Sequence, residues 1–199
     1  MKILVIGANG TVGRAVTQEL AARHTIIKVG KTSGDYQVDL ADTDSIIDLY
    51  KQVGTVDAVV CAAGSGCFIE LDQLTPEAFA TGLNEKMHGQ INLVLLGQHL
   101  IAANGSFTLI SGVLSDDPIK LGVNSSTINA AIDGFVRSAA IELKRGVRIN
   151  AVSPTLLTES EKKYEAFFRG FTTVDAAIVA KAFSKSVEGH QTGQIYKVL

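Results

Sequence analysis

The sequence predicts an α/β protein: one doubly wound domain over residues 1–199, built on a mostly parallel sheet. Short apolar runs alternate with amphipathic stretches along the whole chain, with no internal repeat and no linker-like segment between them. Runs such as DAVVCAA are apolar on consecutive rather than alternate positions, which suits strands covered by helices on both faces. The first run passes directly into GANGTVG, a glycine-rich turn that opens the first amphipathic stretch. A length of 199 residues, with 46% hydrophobic and 19% charged side chains, is the balance of one ordinary globular domain.

Each element has its own signal. KILVIGA reads as the first strand. Gly13 to Arg23 follows as a helix, with Val12, Ala15, Val16 and Leu20 close to helical spacing. HTIIKVG is a second strand. DTDSIIDLYKQV begins with acidic and hydroxyl residues, as a helix N-terminus does. VDAVVCAAG is a third strand, and TPEAFATGL sets a threonine cap before proline at the first helical position. Asn84 to Ile101 reads as one long helix. GSFTLISG is a strand, Ser125 to Leu143 a helix, VRINAVSP a strand, VDAAIVAKAFSKS a helix, and QIYKVL the closing strand. Residues 156–170, LLTESEKKYEAFFRG, carry more charge and less pattern. They read as a short lobe outside the sheet, placed to act on substrate or as a lid.

Composition excludes several function classes. A net charge of −2 gives no reason to expect nucleic acid or an anionic membrane as partner. No apolar run has the length of a membrane span, and the opening run ends in glycines, as a buried strand does and a leader does not. Cys61 and Cys67 are the only cysteines, which points to a reducing cytoplasm rather than a disulfide framework. His24, His88, His99 and His190 are scattered, so no metal site is expected.

GANGTVG, Gly7 to Gly13, sits where a dinucleotide-binding turn belongs, and Asn9, Thr11 and Val12 lie within it. Gly7 permits a sharp turn, Gly10 lets backbone approach a phosphate, and Gly13 lets the helix pack close to the strand. The helix N-terminus then offers free N–H groups to a pyrophosphate. At the end of the second strand an NAD enzyme usually carries an acid for the ribose hydroxyls. This chain has GKTSG instead, with Lys31, Thr32 and Ser33 suited to a 2′-phosphate. NADP(H) is therefore expected in preference to NAD(H). Asp39, in VDLAD, is placed to meet the adenine amino group or to cap the following helix.

These residues resemble the short-chain dehydrogenase/reductase superfamily over nearly the whole chain. GANGTVG is similar to its cofactor loop, and VDL, with Asp39 and Leu40, to its adenine-contacting strand end. CAAG, with Ala62, Ala63 and Gly64, resembles the element that steadies the central sheet and lines the cofactor. Asn84 falls where the family keeps a helix-kinking asparagine tied to a proton-relay water. VRINAVSP resembles the strand leading to the nicotinamide contact, which falls on Pro154 and Thr155. The resemblance implies a Rossmann-type sheet of about seven strands with its site at the strand C-termini. It also implies a small-molecule substrate and a homodimer or homotetramer packed through the helices at Asn84–Ile101 and Ser125–Leu143.

The chain departs from that family at the reactive groups. The tyrosine and the lysine four residues later fall on Ser125 and Asn129, the partner serine on Gly112 beside Ser111, and Thr155 replaces a glycine. Ser125 can donate a hydrogen bond to an oxyanion, but an aliphatic hydroxyl is a poor net proton donor. Loss of a general acid costs about 10²–10⁴ in rate. Asn84, Ser111 and Ser125 are the candidate catalytic residues. His88 shares the Asn84 face and titrates in a useful range, or is simply an interface residue. Cys67 faces the cleft or is a small buried thiol, and Tyr164 reads substrate or packs with Phe167 and Phe168. Two functions follow: an NADP(H)-dependent oxidoreductase with a degenerate proton-donor site, or a non-catalytic NADP(H)-binding sensor or partner-binding protein. Isomerase-like chemistry is a third.

Overall fold

Ile3 to Ile6 are all buried, because the strand they form has helices on both sides. That strand, β1 (Lys2–Ile6), lies at the centre of a computed structural model that describes residues 1–199. The other strands are β2 (Thr25–Gly30), β3 (Tyr36–Gln37), β4 (Val56–Cys61), β5 (Ile101–Ile110), β6 (Arg148–Pro154) and β7 (Ile195–Val198). They form one seven-stranded sheet in the order β3-β2-β1-β4-β5-β6-β7, with every neighbouring pair parallel. The single doubly wound α/β domain is thus the architecture found.

Alternate residues of the strands feed two cores. Leu4, Ile6, Val59, Phe107 and Ile149 face α2 (Thr43–Val53), α4 (Gly89–Gly97) and α5 (Val123–Glu142). Ile3, Val5, Ala58, Val60 and Val152 face α1 (Thr11–Ala21) and α7 (Ala176–Glu188), which follows the four-residue α6 (Glu161–Tyr164). The strand order reverses direction of growth between β1 and β4, so their C-terminal ends open a crevice at the switch point. No helix is long and apolar enough to cross a membrane.

Two local readings change. The helix expected over Asn84–Ile101 is a π-helical turn, Leu83–His88, followed by α4, which ends at Gly97. Ile101 already belongs to β5, where it pairs with Val56 and is buried; tertiary pairing outweighs the local helical pattern. A short helix, α3 (Pro76–Gly82), precedes that turn with Thr75 as its cap, its hydroxyl accepting from the Ala78 N–H at 3.2 Å. The two-residue β3 escaped notice because it is too short to show a period.

α1 and α7 are clamped at the surface. The Glu188 carboxylate takes Arg23 Nε at 2.8 Å and His24 Nε2 at 2.8 Å, and accepts from the Ser184 hydroxyl. The Arg23 guanidinium above all, with Ser184 and His24, holds the Glu188 carboxyl down to about 2. A depressed carboxyl stabilises the fold above its ordinary value of 4.5 and loses that contribution as pH falls toward 2. The cluster is solvent-screened, so the effect is small. Glu188→Gln is expected to lower the melting temperature at neutral pH by about 1–3 °C. In melts taken across pH, the gap between the two proteins closes in strong acid.

Candidate active site

The glycines of the β1–α1 turn have separate jobs. Gly7 sits at φ +79°, and a Cβ there would lie 2.8 Å from the Ala62 carbonyl oxygen. A Cβ on Gly13 would lie 1.9 Å from the Gly7 carbonyl oxygen. Turn, helix and β4 are therefore in backbone contact. Gly10 differs, since a Cβ there would meet only the Gly7 oxygen at 3.3 Å and otherwise project into open space. Gly10 precedes α1 with no side-chain cap, and no acidic residue occupies the first turn of that helix. The first-turn N–H groups thus lack intrahelical partners, and no side chain offsets the positive end of the dipole. A nucleotide diphosphate fits this cradle.

The crevice continues over the ends of β2 and β4 as a cleft of about 400 Å³ lined by Gly7, Gly10, Lys31, Asp39, Leu40 and Ala62 to Gly64. These are residues expected to meet cofactor. Lys31 and Asp39, assigned from sequence to the 2′-phosphate and to adenine, hold each other across 3.0 Å. That contact raises the Lys31 ammonium and lowers the Asp39 carboxyl; Lys31 is exposed and Asp39 half-buried. The other expected residues support the cleft from outside. Asn9 Nδ2 donates to Ser33 Oγ at 2.7 Å, joining the two loops, and the Thr32 carbonyl accepts from Gln37 at 3.0 Å. Thr11 heads α1, Val12 is in the core, and Gly13 lies beneath Gly7.

Ser65 lines both this cleft and a second cavity of about 240 Å³ at the ends of β5 and β6. Ser125 and Asn129 reach that cavity from α5, and Pro154 and Thr155 from the end of β6. Thr155 also donates to the Thr172 carbonyl at 3.1 Å, tying β6 to the chain beyond residues 156–170. The Ser125 hydroxyl faces tight backbone: a Cβ on Gly66 would lie 2.3 Å from it. The walls are apolar, with Leu114, Leu156 and Leu157 beside Phe68, Tyr164 and Phe168. Phe68 stacks on Phe167 at 5.4 Å and meets Tyr164 at 5.7 Å, so the lobe packs on the loop after β4.

The structure does not bring Asn84 into this cavity. Asn84 is exposed, and its Oδ1 contacts His88 Nδ1 at 3.0 Å, also at the surface. The π turn accounts for this, since an added residue per turn rotates the side chains around it. Ser111 lies behind the cavity wall, its hydroxyl buried without a hydrogen-bond partner. Cys67 is half-buried, and its N–H donates to Asn124 Oδ1 at 3.0 Å.

The residue that faces inward from the π turn is Lys86, which sequence reasoning missed. Its Nζ donates to the Ser111 carbonyl at 2.9 Å and to Asn129 Oδ1 at 2.8 Å. No carboxylate forms an ion pair with it, and burial brings its pKa down to about 8. A lysine two places after Asn84 in LNEKMH was visible in the chain, but a regular helix carries no sign of which side it faces. Asn124 was also missed; it pins α3 to α5 by donating to the Phe79 carbonyl at 2.9 Å.

Comparison with known proteins agrees with this fold. The crystal structure of the protein lin1944 from Listeria innocua superimposes with a TM-score of 0.99 at 51% identity, covering 100% of both chains. A small-chain dehydrogenase solved in complex with NADPH superimposes at 0.88 with 21% identity, over 100% of this chain and 96% of that one. Among curated proteins, the 3-oxoacyl-[acyl-carrier-protein] reductase MabA of Mycobacterium bovis is 28% identical over 166 residues, 76% of this chain and 67% of the relative. The family described as Enoyl-(Acyl carrier protein) reductase matches residues 3–194, and the chain belongs to the short-chain dehydrogenase/reductase superfamily.

Proposed function

We propose that this chain is an NADP(H)-dependent oxidoreductase interconverting a small carbonyl compound and its alcohol at a site where serine and asparagine replace the family's tyrosine and lysine. The observation that carries the reading is that two cavities adjoin at Ser65: the cleft at the uncapped start of α1, lined by Lys31 and Ala62 to Gly64, and the cavity lined by Ser125, Lys86 and Pro154. The NADPH bound by the small-chain dehydrogenase of the same fold supports the choice of nucleotide. When bound, a reduced nicotinamide supplies a hydrogen with its electron pair; the protein supplies orientation, exclusion of water and a proton. Ser125 lines this cavity, which supports a hydrogen bond from its hydroxyl to an oxyanion, and the apolar walls suit a carbonyl bearing an aliphatic or aromatic group. Residues 156–170 form the wall that selects it. Val94, Leu95 and Phe135 line a groove between α4 and α5 that suits the homo-oligomer expected from the family, in a cytoplasmic protein.

A second reading, an NADP(H)-binding protein without turnover, draws on the absence of a phenolic acid at Ser125. The two separate in one experiment: nucleotide titration by fluorescence, then a screen of aliphatic and aryl carbonyls for NADPH oxidation. Binding with turnover is expected, and binding alone supports the second reading.

Lys31→Ala is expected to weaken NADPH by about five- to twentyfold while leaving NADH unchanged. Equal losses for both nucleotides in the same titration would remove the 2′-phosphate assignment. Gly10→Val is expected to weaken both nucleotides by more than about tenfold with little change in melting temperature, because the new side chain enters the cleft and not the core.

A further inference from the structure

We propose that Lys86 is the proton donor of this site, its ammonium protonating the oxygen of a substrate carbonyl during reduction and its amine accepting that proton in the reverse direction. The proposal rests on the oxidoreductase reading above and gives that reading its missing acid.

Four features of the structure converge on this residue. The π turn over Leu83–His88 leaves Asn84, Glu85 and His88 at the surface while Lys86 lines the inner cavity. The chain after β4 is shaped around its stem: Gly64 sits at φ +107°, and a Cβ there would lie 2.7 Å from Lys86 Cγ. An ammonium has three donors. Two are used, on the Ser111 carbonyl and on Asn129 Oδ1, and the third has no acceptor within the protein. Finally, Asn129 is the position where the family resemblance places a lysine. Here an ammonium reaches the same spot from another helix, and Asn129 accepts its hydrogen bond.

An ammonium in such a place is costly without a counter-ion, and none is supplied. The ionisable groups around it are Cys61 at the end of β4, Asp133 on α5, Glu85 and His88 on its own segment, and Tyr164 across the cavity. Burial pushes the Cys61 thiol up to about 12, so it stays neutral and cannot pair with Lys86. Asp133 is within range to act on Lys86 through space but forms no ion pair with it. The net result is an amine that titrates near 8, close to where a general acid and base works best.

The reductant would be a reduced nicotinamide dinucleotide held by the cleft at Gly10 and Lys31, its hydrogen and electron pair going to the carbonyl carbon. The π pair of the C=O bond moves to oxygen, which takes a proton from Lys86 Nζ as an N–H bond breaks and an O–H bond forms. The amine left behind recovers a proton from water. Ser125 steadies the oxygen through a hydrogen bond without a net change of protonation.

The test combines labelling with kinetics. Native protein is treated with 2,4,6-trinitrobenzenesulfonate over a range of pH, and modification at each lysine is read by peptide mapping. Lys86 is expected to react with a midpoint near 8, below that of an ordinary exposed amine, and more slowly with NADPH bound. Lys86→Met and Lys86→Arg are expected to bind NADPH within about threefold of wild type and to lose about 10²–10⁴ in kcat. Wild-type kcat for reduction is expected to fall as pH rises through the Lys86 midpoint, since the acid must be protonated. The proposal is overturned by Lys86 titrating with the surface lysines, by a folded Lys86→Met that turns over normally, or by Lys86→Arg restoring activity, which would make the charge and not the proton the useful part. The labelling arm stands even if a variant fails to fold. Wild type that binds NADPH and reduces nothing removes the oxidoreductase reading itself, a result separate from normal turnover in Lys86→Met.

Discussion

The closest constraint in the molecule is backbone on backbone. Gly13 packs on the Gly7 carbonyl, and Gly7 packs on Ala62, so β1, α1 and β4 meet where no side chain fits. That contact fixes the start of α1 over the C-terminal edge of the sheet and aims its unpaired N–H groups into the crevice. Gly10 is the least crowded of the three, a Cβ there meeting only the Gly7 oxygen, and it faces the cleft. The parallel sheet does the rest: once every strand runs the same way, the loops that carry polar groups gather at one edge.

At the far end of that edge the packing serves a charge. An unpaired ammonium in a partly buried place opposes folding, and several features of the chain accommodate Lys86 nonetheless. Gly64 bends away from its stem, Asn129 turns an amide oxygen toward it, and the Ser111 carbonyl is left free of the sheet to accept from it. Neutrality of Cys61 completes the environment. The local rules broken here, a π turn and a buried lysine, fall together at one site, as departures from regular structure tend to do where a protein works.

Much of this was legible in the chain. Consecutive apolar runs foretold strands covered on both faces, and GANGTVG marked the turn from β1 into α1 because its glycines follow a strand and open a helix. The reactive end was harder. The segment after Thr75 reads as helix at every residue, yet one turn of it is π-helical, and periodicity cannot register a shift of one residue. That single residue explains why Asn84 looked inward on paper and lies outward in space, and why Lys86 passed unremarked. The Lys31–Asp39 pair was likewise invisible, since a loop and the two-residue β3 lie between the two positions and they meet only through the pairing of β2 with β3.

Lys86 and Ser125 stand on different helical segments, one before α4 and the other on α5. Two groups one helical turn apart on a single helix keep their distance however that helix moves. Here the separation between the Lys86 ammonium and the Ser125 hydroxyl is set by how one helix leans on another, held through Asn124 and Asn129. Their spacing is therefore an adjustable mechanical quantity: substitutions in the seam between α4 and α5, outside the cavity, can open or tighten it by fractions of an ångström.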